Sequence, residues 1–185
     1  MNIQKDFLDS QQVISMRKML LIALDYHYQN YTKFEEEILK GMENRETRSE
    51  QERINNFNSH EHIKLELLAY LIHIRRFRYF IKNLKNKGKL KVPNTKEEKE
   101  IWDSLVVTGG ALEYYANKWA AHRSYDDTRG ETKEVHLEML LNLEGSVIMY
   151  DTDGMFFSFG GHELRLNQLH SKIMRFVDYV FNNIC

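Results

Sequence analysis

The sequence predicts a mainly α-helical fold, an antiparallel helical bundle with a small β-hairpin before its C-terminal helix. Three observations lead there. Apolar residues recur at three- and four-residue steps over long stretches, the period of one helix face. One proline and nine glycines leave few interruptions in 185 residues. A lone strand-turn-strand pattern stands near the end, bounded by Asp151-Thr152-Asp153-Gly154 and Gly160-Gly161.

Composition narrows the classes of function. With 42% hydrophobic and 29% charged residues the chain is globular, and its length suits a single domain spanning 1–185. Twenty-six Lys and Arg against 27 Asp and Glu give a formal charge of -1, so no global field announces a nucleic-acid or membrane partner. The single cysteine, Cys185, excludes an intrachain disulfide and any cysteine-based zinc cluster. The N-terminus lacks a secretory signal and no run approaches a membrane span, so a cytoplasmic location without membrane contact is expected.

The first helix is expected over about 35 residues from a cap at Asp9 or Ser10, through Val13, Met16, Leu20, Leu24, Tyr31, Phe34, Ile38 and Met42. Residues 44–57 are polar and read as a short surface helix or a loop. The second helix carries Ile63, Leu67, Tyr70, Ile74, Phe77, Ile81 and Leu84 without a break. Asn58 with Glu61 reads as its capping box, and Gly88 then Pro93 as its stop. Additional apolar residues (Leu65, Leu68, Leu71, Ile72) widen its face and predict a central helix touched on more than one side. The third helix opens at Thr95-Lys96-Glu97-Glu98 and runs on to Trp119. Gly109 and Gly110 in its middle imply a close approach or a kink, since each costs about 1 kcal/mol relative to Ala.

After a polar loop over 124–131 and a short helix over 133–143, Val147 to Tyr150 and Met155 to Phe159 read as the two hairpin strands. A final helix follows from about Leu166 to Asn182.

Two groups of residues carry chemistry. The first is Asn117-Lys118-Trp119-Ala120-Ala121-His122-Arg123 at the end of the third helix. His122 can move a proton near neutral pH, and Lys118 and Arg123 can hold negative charge. Cations at a helix C-terminus also answer its dipole and free carbonyls, so the same residues suit a plain helix cap.

This stretch resembles the signature of HEPN-like proteins, R-x(4–6)-H, often R-N-K-x-x-A-H-x-D, at the end of a bundle helix. The resemblance implies a helical homodimer. Active members are metal-independent ribonucleases serving as toxins or in phage defence; others are non-catalytic modules that bind RNA or a protein such as an antitoxin. No cofactor is implied. Carried over by position, His122 takes the place of the family histidine and Asn117 that of the polar residue after the arginine. Ala116 stands where the family has arginine. Lys118 or Arg123 would then have to steady the phosphate, with a point charge in place of a fork if Lys118 serves. Residues six apart on an ideal helix also point about 240° away from each other, so such a motif needs a distorted helix end or two protomers meeting across an axis.

The second group is a cationic stripe, Arg75, Arg76, Arg78 and Lys82, extended by Lys85, Lys87, Lys89 and Lys91 with no acidic residue between. With Phe77, Tyr79 and Phe80 beside it, it suits RNA, although a solvated helix face has the same pattern. His60-Glu61-His62 has the wrong helical spacing for a metal site, and none is expected. The wide apolar faces of the first two helices favour a homodimer.

Overall fold

A computed structural model describes residues 10–43, 46–108, 110–119, 147–159 and 162–184. Helix α1 spans Ser10–Glu43 and α2 spans Glu50–Asn86. After α3 (Lys96–Leu105) come α4 (Ala111–Tyr114) and a π-helical turn, Tyr115–Trp119. Strands β1 (Val147–Asp151), β2 (Gly154–Phe159) and β3 (His162–Leu164) form an antiparallel sheet in that order, and α5 (Leu166–Asn182) closes the described fold.

The bundle is built on α1 and α2, which run antiparallel. His27 meets Glu66 at 2.7 Å, Phe34 packs on His62, and Ser59 donates to Glu37 at 2.7 Å, so rising numbers on one helix meet falling numbers on the other. Helix α5 lies antiparallel to α1, with Arg17 on Asp178 and Tyr28 stacked on His170 at 3.8 Å. It also covers α2 through Phe77 and Phe176. The seven residues of α2 read as one apolar face are all buried, and Leu24, Tyr31 and Ile38 of α1 and Ile173, Phe176, Val177 and Val180 of α5 join them. That shared face is why amphipathic helices of this length hold together.

Several expectations are corrected. Helix α2 starts eight residues before Asn58, at a capping box in which Ser49 and Glu52 satisfy each other's backbone N–H groups. The polar stretch from residue 50 is therefore the first two turns of α2, started by that capping box ahead of the buried apolar run that begins at Ile63. Gly88, at φ +66°, does end it, in a left-handed conformation that glycine adopts without steric cost. Met16 and Met42 are exposed and do not belong to the α1 core. Of the residues that widen α2, Leu71 is buried whereas Leu65 is 56% exposed, so the helix leaves one apolar side open.

The third helix is not continuous. Helix α3 is capped by Thr95, which accepts from the Glu98 N–H, and it stops at Leu105; the chain restarts at Gly110 with ψ 148°. A Cβ on Gly110 would lie 2.2 Å from the Ser104 carbonyl oxygen and 2.5 Å from that of Asp103, so only glycine permits this tight reversal against the end of α3. The loop over 124–131, the helix over 133–143, Asp9, Gly109, Gly160-Gly161 and Cys185 lie outside the described residues.

The hairpin forms in the expected place, with Asp151 opposite Gly154 across a two-residue turn. A third strand, His162–Leu164, extends it and was not foreseen. Two contacts pin the sheet to the bundle. The Tyr115 hydroxyl donates to the Phe157 carbonyl at 2.8 Å, and the Met155 N–H donates to Glu35 at 3.4 Å. Burial pushes the Glu35 carboxyl above its ordinary value, and the Met155 N–H opposes this.

Candidate functional site

The two chemically informative stretches, far apart in sequence, touch where Arg78 reaches Asn117. Arg78 is the junction. Its side chain leaves α2 at a position in phase with the core residues Ile74 and Ile81, and it is only 4% exposed. All three guanidinium nitrogens find acceptors: Nε donates to the Leu105 carbonyl at 2.9 Å, Nη2 to Glu113 Oε1 at 2.8 Å, and Nη1 to Asn117 Oδ1 at 3.3 Å. Asn117 closes the triangle by donating its amide to Glu113 Oε1 at 2.6 Å. One guanidinium thus ties α2 to the end of α3, to α4 and to the π turn. A buried cation is stable only with such full pairing, because its desolvation must be offset by charge-assisted bonds.

Of the stripe residues, Arg78 is therefore corrected: it is a buried anchor, not a surface cation offered to a phosphate. Arg76 is exposed. Arg75 is half-buried, with its guanidinium 5.5 Å over the Tyr79 ring. Lys82, one turn beyond Arg78, lies within the field of both Arg78 and Glu113. Burial, followed by repulsion from Arg78, holds its ammonium below the ordinary lysine value, while Glu113 pulls the other way. Lys85 packs 5.6 Å over Trp102.

On the motif side, Asn117 is half-buried in the Arg78 network, which holds it in place. Ala116 is completely buried, so the larger side chain that the family signature carries there has no room without moving the core. Tyr115–Trp119, which holds the first residues of the motif, is wound as a π turn and not as an α-helix. Lys118 belongs to that turn, but its side chain, His122 and Arg123 lie outside the described residues.

Glu113 is the residue that sequence reasoning missed. Two signals for it exist: an arginine at a core-phase position of α2 demands a buried acceptor, and Glu113 stands four residues before Asn117, on the same helix face.

Elsewhere, His62 packs on Phe34 and Glu61 on Lys64, and no group of three metal-ligating side chains occurs among the described residues. Among those residues, too, no helix is long and apolar enough to cross a membrane. Comparison with known proteins adds no assignment: no family model, no curated protein and no solved structure matches this chain.

Proposed function

We propose that the chain is a HEPN-like, RNA-directed protein, acting in the cytoplasm as a homodimer, with His122 as the base of a metal-independent endoribonuclease of the toxin or phage-defence kind. The observation that carries this reading is the 3.3 Å contact between Arg78 and Asn117, which joins the basic face of α2 to the first residue of the motif. An RNA backbone lying along Lys82, which shares the field of Arg78 and Glu113, would run toward the segment that bears Lys118, His122 and Arg123. His122 would take the proton of a ribose 2′-hydroxyl as its oxygen attacks the adjacent phosphorus. The bond to the 5′-oxygen breaks, leaving a 2′,3′-cyclic phosphate. Lys118 and Arg123 would stabilise the charge of the transition state.

A second reading, a non-catalytic module that binds RNA or a protein such as an antitoxin, is favoured by one specific feature. Ala116 is buried where the family carries arginine, and the nearby Arg78 guanidinium is already neutralised by Glu113. Incubating the protein and His122→Ala with end-labelled RNA in EDTA decides between the two. Cleavage by the parent protein alone, with cyclic-phosphate ends, supports the ribonuclease. Salt-dependent binding by both without cleavage supports the module. The absence of both cleavage and RNA binding rules out an RNA-directed role.

A further inference from the structure

Helix α2 has a second apolar face, opposite its core. Ile54, Phe57, Glu61, Leu65, Leu68, Ile72, Arg75 and Tyr79 follow one another at three- and four-residue steps and form one stripe along the helix. Phe57 is 65% exposed, Leu65 56%, Tyr79 52% and Ile54 47%, while Leu68 and Ile72 are half-buried. On α1, Met19, Ile22 and Tyr26 are exposed as well. A contiguous apolar stripe of this length is unusual on a chain that stays monomeric.

We propose that this face binds a second copy of the same chain, with the two α2 helices antiparallel about a two-fold axis that passes by Leu68. The inference rests on the homodimer reading above and assigns its surface and register. The order of residues along the stripe is self-complementary about that point. Glu61 and Arg75 lie at equal distances before and after Leu68, and so do Phe57 and Tyr79. Leu65 and Ile72 fall opposite each other to within one residue. Antiparallel pairing therefore sets Glu61 against the partner's Arg75, and Arg75 against the partner's Glu61. It also sets ring against ring at both ends and leucine against leucine at the axis. A parallel arrangement would oppose Glu61 to Glu61 and Arg75 to Arg75, and like charges select against it.

The size also fits. The four exposed side chains present about 100 Å² each and the four half-buried ones less than half of that, so the stripe offers about 550 Å² per copy, and the exposed Met19, Ile22 and Tyr26 of α1 carry the apolar face further. A standard specific interface buries roughly 800 Å² per partner. Arg75 serves the interface, so the pairing withdraws it from the cations open to RNA, and the two Lys82 residues stand about 42 Å apart along the paired helices, at 1.5 Å per residue.

The test is the mass of the full chain in solution, by size exclusion with light scattering. The parent protein is expected to be a dimer. Leu65→Glu, at an exposed position, is expected to be a monomer with unchanged helical circular dichroism. Glu61→Arg and Arg75→Glu are each expected to weaken association at least tenfold, and the double swap to restore it, which no effect on folding alone would produce. A parent protein that stays monomeric at high micromolar concentration overturns this surface and the homodimer reading together. A dimer indifferent to Leu65→Glu and to both charge swaps overturns the surface and register but leaves the homodimer standing.

Discussion

Truncating Arg78 to methionine removes the guanidinium while keeping most of the aliphatic volume. The side chain is 4% exposed and its pair partner Glu113 is 13% exposed, so solvent cannot take over the lost bonds. The change strips a donor from the Glu113 carboxylate, another from the Leu105 carbonyl and a third from Asn117. Breaking a buried ion pair from one side costs about 3–5 kcal/mol, because the remaining charge is left uncompensated. With a urea m-value of about 2 kcal/mol/M, the midpoint of unfolding should fall by about 1.5–2.5 M. Glu113→Gln in the Arg78→Met background should recover part of that loss, since it removes the orphaned charge. A midpoint shift under about 0.5 M, the level of an exposed ion pair, would refute the claim that this network anchors the end of the bundle.

Other outcomes follow from the same geometry. Gly110→Ala drives a Cβ into backbone carbonyls at 2.2 and 2.5 Å, and should cost about 1–3 kcal/mol or more, read as a fall in melting temperature. Tyr115→Phe removes the donor to Phe157 and should cost about 1–2 kcal/mol; hydrogen exchange should then rise in the hairpin before it rises in α2. His60, His73 and His170 are each held below the ordinary imidazole value, by burial first. The unfolded chain therefore takes up their protons at higher pH than the folded one. Stability should fall as pH drops below about 6.5, the ordinary histidine value, and level off once the folded-state groups have also titrated. His170 contributes through a defined contact. Its ring stacks on Tyr28 with Nδ1 3.2 Å from the Tyr70 hydroxyl, and burial there outweighs the pull of Asp25, so His170→Phe should reduce the acid sensitivity seen by chemical denaturation.

Much of the fold was legible because its helices announce themselves by period. The run from Ile63 to Leu84 is buried as read, and α5 occupies the segment from Leu166 to Asn182. The errors lie where a local signal competed with the period. Ser49 and Glu52 make the true cap of α2, while Asn58 and Glu61 imitate one inside the helix. The apolar pattern from Trp102 to Trp119 runs straight across the break at Gly110, because both halves face the same core. Strand β3 is too short to show an alternation.

At the candidate site, sequence could list Arg78 and Asn117 but not join them. Which of four clustered cations turns inward depends on the phase of Arg78 with Ile74 and Ile81, and on an acceptor, Glu113, that sits 35 residues later. A π turn has no comparable sequence signature, so the winding of Tyr115–Trp119 could not be read from the residues themselves.

The most direct measurement of the central claim is photocrosslinking of bound RNA followed by mapping of the adducts by mass spectrometry. If the basic face of α2 and the motif form one RNA-handling surface joined at Arg78, adducts should fall both in the stretch from Lys82 to Lys91 and in that from Asn117 to Arg123. Arg78→Met should weaken both sets together, in folded protein. Adducts confined to one stretch, or the loss of one without the other, would contradict a single site.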